Sequence, residues 1–521
     1  MIKEDYVMAI DAGTGSCRAV IFDRYGNQKS IAQKEWSHPT LPQYPGSQVF
    51  DTQTNWSYIL LCIKEAMKKG QISPSQIRAV SSTSMREGMV LYDCDGKEIW
   101  ACPNVDSRAD EEARYLVKRG LARKIYFKAG DWVSITAPAR FLWIKKHEPK
   151  IFKKIAHVTM ISDWILYKLT GRYVTDPSIG SSSNMFDLKK RKWSKEIIEI
   201  CGLPPEIFPD VYEPGTVIGE ITHNASIETG LKEGTPVVLG GADTQLGLVG
   251  IGTITPHRLT IIGGSFWQHT IILDKPLIDP KIRLRTLCHA IPNQWMMEGI
   301  GFYCGIVMRW FRDAFCQYEK EQAEKLGVDP YSLMEKQAMS VPPGSNGVVA
   351  IFSNLMNAKQ WIHASPAFIQ FDVTNPLASG KKECIRAIEE NAAYVSYGHV
   401  KIIEELTQRK FKEIVFTGGA SKGSLWPQIL ADVLNVKIHV PVVKESTALG
   451  AALFAGIGAG FYKELSSAVK ELVKFEKVYE PNQDTHKKYT TFYDKWLKIY
   501  AHCLEMVKEG LVHPMWKAAG T

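Results

Sequence analysis

Ile10-Asp11-Ala12-Gly13-Thr14-Gly15-Ser16-Cys17-Arg18 decides how this chain is read. An apolar run enters it (Val7, Met8, Ala9, Ile10). A second leaves it (Ala19, Val20, Ile21, Phe22) and ends on Asp23-Arg24-Tyr25-Gly26-Asn27. The pattern predicts a strand, a glycine turn and a returning strand. Two glycines let backbone N–H groups approach an anion, two hydroxyls add donors, and a carboxylate at the mouth suits the cation that accompanies a nucleotide. Taken alone, the stretch reads equally as an ordinary hairpin.

Working outward, the same signature recurs. Leu259-Thr260-Ile261-Ile262 leads into Gly263-Gly264-Ser265 and leaves through Phe266, Trp267 and Ile271–Leu273, a weak internal repeat. Between the two copies, Pro236–Leu239 delivers Gly240-Gly241-Ala242-Asp243-Thr244-Gln245. An aspartate in that place suits a general base toward a hydroxyl, or the cap of the following helix. Further on, Ile414-Val415-Phe416-Thr417 feeds Gly418-Gly419-Ala420-Ser421-Lys422 and a helix through Trp426, Ile429, Leu430 and Val433. Diglycine before a helix suits a ribose or phosphate, or a plain strand-to-helix connection.

Other stretches carry weaker signals. Arg86-Glu87 follows a short strand (Ile77, Ala79, Val80) and reads as a ligand-contacting pair or a surface ion pair. Asn104, Asp106 and Arg108 read as lining the same cleft or as a solvated loop. Thr175–Ser178 reads as a turn, Asp163 as structural, and Ser181–Ser183 as hydroxyls without an assigned purpose. Asn55–Lys69 has a helical apolar face ended by Gly70, and the amphipathic Phe492–Gly510 reads as packing. Residues 359–377, with Trp361 and His363, have no functional account.

At 521 residues the chain is too long for one core, so two domains are expected, 1–252 and 253–521, with the boundary between Gly250 and Pro256. A net charge of +8 spread among acids gives no nucleic-acid footprint. Ten cysteines without a paired framework suit reduced thiols in the cytoplasm. A charged N-terminus running straight into a strand is no signal peptide. Ala448–Phe461 is too short and glycine-rich to span a membrane and reads as a core helix. There is no GxxxxGK[ST] loop, and Gly456-Ile457-Gly458-Ala459-Gly460 ends a helix instead of opening one.

The ordered motifs DAGTGSCR, REG, GGADTQ, GGS, GGASKGSLWPQILADVL and KESTALGAA resemble the FGGY family of carbohydrate kinases. The resemblance implies an α/β fold of two ribonuclease-H-like domains of the actin, hexokinase and Hsp70 superfamily, with an ATP and substrate cleft between them. It implies a phosphotransferase acting on an alcohol group. Asp243 would be the catalytic base. Asp11 would hold Mg²⁺, with Asp243 the second carboxylate within reach of the metal. Gly13, Thr14, Gly15 and Ser16 would donate to ATP phosphates, Gly264 and Ser265 would close on the γ-phosphate, and Gly418, Gly419, Ser421 and Lys422 would sit at the adenosine. Arg86, Glu87, Asn104 and Gln245 would join Asp243 around the acceptor.

Most family members carry a Gly-Glu-Arg motif where this chain reads Ile351–Asn357, which argues against glycerol, xylulose and gluconate kinases. SMREGMVLYD, IWACPNVDSRAD, TMISDW, GGSFWQ, MRWFRDAFC, VPPGSNGV and VPVVKESTALG point to a branch acting on the primary hydroxyl of open-chain 4,5-dihydroxy-2,3-pentanedione. The alternatives are another pentulose or polyol acceptor, or a nucleotide-driven binding protein of the actin type. The resemblance allows a homodimer among other assemblies and names no regulatory partner.

Overall fold

The computed structural model describes residues 4–442 and 445–520; Val443 and Lys444 of the quoted VPVVKESTALG stretch lie outside them. Two sheets organise the chain. The first takes β1 (Tyr6–Ala12), β2 (Ser16–Asp23), β3 (Gln28–Glu35), β4 (Ile77–Ser84), β5 (Val217–Glu220) and β6 (Pro236–Ala242), in the order β5-β6-β4-β1-β2-β3. The second takes β7 (Leu259–Gly263), β8 (Trp267–Leu273), β9 (Arg285–Cys288), β10 (Trp295–Gly301), β11 (Glu413–Thr417), β12 (Lys437–Pro441) and β13 (Phe475–Tyr479), in the order β9-β10-β8-β7-β11-β12-β13.

The expected repeat is therefore architectural. In each sheet a glycine hairpin (β1–β2, β7–β8) is antiparallel, its first strand lies parallel to a later strand (β4, β11), and that strand is parallel to the next (β6, β12). All seven residues of β1 are buried, as expected for a parallel strand covered on both faces. Register fixes the site. Asp11 lies opposite Thr83 of β4, and Thr83 lies opposite Gly241 of β6. Three strands thus end at one level, and their following loops leave from the same edge, where open α/β sheets hold ligands.

Helix α1 (Thr52–Gly70) begins three residues before the predicted Asn55, because Asp51 caps it by accepting from the Thr54 amide. Thr175–Ser178 is more than a turn: Asp176 caps a short helix, α2 (Pro177–Ser182). Helix α3 (Asp243–Gly250) follows β6 directly.

Helix α7 (Ser446–Gly458), counting α4 (Cys304–Phe315), α5 (Lys381–Thr407) and α6 (Leu425–Leu434) before it, comes from the last part of the chain yet packs on β1, β4 and β6 of the first sheet and on α3. Its sequence has no charged residue, as a helix enclosed on every side requires. Backbones touch at this crossing. A Cβ on Gly450 would lie 2.0 Å from the Leu246 carbonyl oxygen, and one on Gly250 would lie 1.9 Å from that of Ser446. The apolar Ala448–Phe461 stretch is accordingly a core helix. No described helix is long and apolar enough to cross a membrane. The last helix, α8 (Gln483–Lys508), buries Tyr489, Tyr493, Trp496 and Tyr500 in the core of the second half. Trp361 and His363, unassigned from sequence, join an aromatic cluster with Phe302 and Trp516.

Candidate active site

The first hairpin turn is held from behind. The Gly13 amide donates to the Ser16 carbonyl (2.9 Å), and the Trp36 amide to the Gly15 carbonyl (3.1 Å). The Trp36 indole donates to the carbonyls of Gly13 (3.0 Å) and Thr14 (3.1 Å), and His38 Nε2 meets the Thr14 carbonyl at 2.8 Å. With its carbonyls engaged on that side, the turn keeps the Thr14 and Gly15 amides without a protein acceptor among the described residues. Donors preorganised in this way suit a phosphate. Asn104, expected at the acceptor, exchanges hydrogen bonds with the Thr14 hydroxyl (3.0 and 3.2 Å) and so steadies this turn. Its expected neighbours do not line a cleft. Asp106 and Arg108 pair with each other at 2.7 Å and bind the Gln48 backbone, which makes them a buried brace.

Two carboxylates stand beyond the turn. Asp11 is buried, and Arg18 Nε donates to its Oδ2 at 2.8 Å while Arg18 Nη1 reaches Glu445 at 2.8 Å. Burial pushes the Asp11 carboxyl up, and Arg18 opposes the shift. Asp243 is the first residue of α3, after Ala242 at the cap position, so capping does not account for it. Its Oδ1 accepts from the Thr244 amide (2.6 Å). Burial raises its carboxyl to about 6; Arg86 pulls the other way, and Asp11 and Glu87 add to the rise.

The Arg86-Glu87 pair is neither on the surface nor paired with itself. Arg86 donates Nη1 and Nη2 to the two oxygens of Glu298 on β10 (2.8 and 3.2 Å), and its Nε lies 3.8 Å from Asp243 Oδ1. Glu87, at φ 60°, receives Arg285 Nη1 of β9 (2.9 Å), which also reaches Asp131 (3.2 Å). Arg285 Nε donates to Glu298 (2.7 Å). Arg285 and Arg86 hold the Glu298 carboxyl down to about 2 against the effect of burial. Sequence reasoning missed Asp131, Arg285 and Glu298. Gln245 is fully buried, donates to the Cys288 carbonyl (3.2 Å) and leaves its Oε1 without a partner among the described residues.

The serines of α2, from the expected turn and from the unassigned run after it, underlie this cluster. Ser178 Oγ accepts from the Ala242 amide (3.0 Å), one residue before Asp243, and donates to Asp176. Ser182 Oγ accepts from the Glu87 amide (3.2 Å), and Ser181 Oγ from the Cys288 amide (3.0 Å). A run of small hydroxyls is what such close packing needs: a Cβ on Gly241 would lie 2.4 Å from Ser178 Oγ.

The second half carries its own cavity of about 550 Å³, a size that suits a small-molecule ligand. Gly263–Ser265, Gly305, Arg309, Glu335, Glu389, Gly419, Lys422 and Trp426 are among its lining residues. Gly418 adopts φ 93°, and a Cβ there would lie 2.7 Å from the Gly263 carbonyl oxygen, so the two glycine turns touch. Ser421 bonds back to the Gly418 carbonyl (2.8 Å). The amides that open α6, those of Ser424 and Leu425, both donate to Glu335. That helix end therefore already has its anion.

Two family models match, the N-terminal domain of the FGGY family of carbohydrate kinases over residues 6–250 and its C-terminal domain over 261–459. The chain belongs to the FGGY family of carbohydrate kinases. Similar FGGY relatives include a protein named autoinducer-2 kinase in Yersinia enterocolitica, 44% identical over 99% of this chain and 98% of the relative. One of the same name in Escherichia coli is 43% identical over the same shares. Among solved structures, a xylulose kinase of Lactobacillus acidophilus superposes with a TM-score of 0.83 at 22% identity, covering 95% of this chain and 97% of that one. Plasmodium falciparum glycerol kinase with ADP gives 0.83 at 19% identity, covering 95% and 98%. These likenesses place the chain in the actin and hexokinase fold. As an FGGY kinase it is a phosphotransferase that uses an alcohol acceptor, with ATP the donor the family implies.

Proposed function

We propose that this enzyme is an ATP-dependent autoinducer-2 kinase, which phosphorylates the primary hydroxyl of open-chain 4,5-dihydroxy-2,3-pentanedione to its 5-phosphate and so processes a quorum-sensing signal. The observation that carries the reading is the 43–44% identity, over nearly the whole chain, to proteins of that name. Asp243 beside Arg86 supports it. The reading has the enzyme working in the cytoplasm on a small molecule, without nucleic acid or membrane.

Asp243 accepts the proton of the acceptor hydroxyl as that oxygen bonds to the γ-phosphorus and the bond to the β-phosphate oxygen breaks, releasing ADP. With its carboxyl near 6, Asp243 is mostly ionised at neutral pH and thus ready to accept. The Thr14 and Gly15 amides, with the Ser16 hydroxyl, donate to phosphate oxygens; the Gly13 amide, expected to join them, is spent on the Ser16 carbonyl and shapes the turn instead. The residues present fit Mg²⁺: Asp11 and Asp243 offer hard oxygen donors, and Arg18 occupies only one Asp11 oxygen. A Mg²⁺ held by them would supply positive charge against the phosphates. Gly264 and Ser265 clamp the γ-phosphate, while Gly418, Gly419, Ser421 and Lys422 flank the adenosine. The cavity is lined wholly by the second half and Asp243 belongs to the first, so closure of one on the other is a condition of transfer.

The test is coupled ADP release with Mg²⁺ and ATP, offering the pentanedione beside glycerol, xylulose and ribulose at equal concentration. Strong preference for the pentanedione is expected. Preference for a pentulose overturns the acceptor and keeps the kinase. Silence with all four overturns both.

A further inference from the structure

The charges behind Arg86 do not balance. Two guanidiniums, Arg86 and Arg285, serve four carboxylates: Glu87, Asp131, Glu298 and Asp243. Arg140 lies against the group but spends its guanidinium on the carbonyls of Glu87, Pro103, Asn104 and Asp106. Arg86, Glu87, Asp131, Arg285 and Glu298 are all buried. These buried carboxylates are engaged by Arg86, Arg285 and, at Asp131 Oδ1 (2.7 Å), the Trp132 amide, but a carboxylate oxygen has lone pairs for more than one donor, so the cluster keeps acceptor capacity for ligand hydroxyls. Burial pushes the Asp131 carboxyl up in spite of Arg285.

The geometry of Arg86 is equally pointed. Its two terminal nitrogens go to Glu298, which turns Nε toward Asp243. The 3.8 Å gap is too long for a hydrogen bond, yet one ligand oxygen fits within bonding distance of both groups.

We propose that the second half completes the acceptor site: Asp131 and Glu87 accept from acceptor hydroxyls, Arg285 donates to an acceptor carbonyl, and Glu298 is the positioning residue that aims Arg86 Nε at the oxygen held by Asp243. The acceptor this fits is a small uncharged molecule with neighbouring carbonyl and hydroxyl groups. The inference rests on the kinase reading above and extends it to residues from β9 and β10. Specificity then resides partly in strands that belong to the other half of the molecule from the base.

Full-length Glu298→Gln, Arg285→Gln and Asp131→Asn test it. Initial rates of ADP release give KM for each substrate, and calorimetry with Mg²⁺ and ATP alone reports nucleotide binding. Glu298→Gln and Arg285→Gln are expected to raise the acceptor KM roughly ten- to a hundredfold, the loss of one charge-assisted hydrogen bond, with the ATP KM within about twofold. Asp131→Asn is expected to change the ratio of kcat/KM between the pentanedione and glycerol by at least about fivefold, since charged hydrogen bonds discriminate hydroxyl patterns on that scale. An unchanged acceptor KM, or equal rises for acceptor and ATP, overturns the proposal. If Arg285→Gln no longer binds ATP it has not folded, and isosteric Asp131→Asn decides alone. If the wild type prefers a pentulose, the pentanedione reading fails, while the same KM comparison made on that pentulose still decides this inference.

Discussion

Asp243→Asn separates a catalytic role from a structural one, because it should harm activity and help stability. The amide cannot take a proton, and loss of a general base costs about 10² to 10⁴ in rate, or about 2.7 to 5.4 kcal/mol of barrier. Stability moves the other way. The Asp243 carboxyl rises from 3.8 to about 6 on folding, so the ionised form is disfavoured in the native state. The full shift corresponds to about 3 kcal/mol at most. The side chain is 35% exposed, so solvent screening reduces the expected gain to about 1 kcal/mol. A group whose folded value is raised loses its stabilising contribution as pH climbs through that value. The variant should therefore match the wild type below pH about 4, pull ahead between about 4 and 6, and hold a constant lead above that. Asn keeps an oxygen for the Thr244 amide, so the start of α3 is undisturbed. Urea unfolding at pH 4 and pH 8, with ADP release and ATP calorimetry on the same samples, reads all three effects. Turnover within tenfold of wild type refutes Asp243 as base. A variant less stable than wild type at pH 8 refutes the electrostatic account.

Three further outcomes are expected. Arg86→Ala should raise the acceptor KM far more than the ATP KM; it should also move the acidic limb of the kcat/KM profile to higher pH, because Arg86 opposes the rise at Asp243. Equal effects on the two KM values would make Arg86 merely structural. Gly450→Ala should cost about 1–3 kcal/mol by overpacking or prevent folding, since its Cβ meets a backbone carbonyl, while Gly247→Ala, 3.3 Å from the Thr447 hydroxyl, should be milder; urea midpoints compare them. Gly418→Ala forces a side chain to φ 93° against the Gly263 carbonyl, and calorimetry should show weakened ATP binding with acceptor KM little changed.

What the sequence revealed was local. A glycine turn between two apolar runs announces itself within nine residues, and so Asp11–Ser16, Gly263–Ser265 and Gly240–Asp243 were legible, as was the likeness of the two hairpins. The partners of Arg86 were not. Glu298 sits in a strand reading Trp-Met-Met-Glu-Gly-Ile-Gly, 212 positions away, and only sheet pairing brings it to the first half. Ser178 and Ser182 were visible as hydroxyls, but their work is to accept from backbone amides, which no side-chain pattern records. Asp106 and Arg108 misled because a polar loop and a buried brace have the same composition.

The helix that crosses from one half to the other has a consequence during synthesis. The first sheet is finished at Ala242, but the helix covering Val7, Ala9, Val20, Ala79 and Val238 begins at Ser446, 446 − 242 = 204 residues later. At about 5–20 residues per second the ribosome needs about 10 to 40 s to supply it. Through that interval the nascent chain carries a finished sheet whose apolar face awaits its cover, the kind of transient exposure that makes partly built folds prone to aggregate. A stop codon after residue 252 would leave that face bare for good.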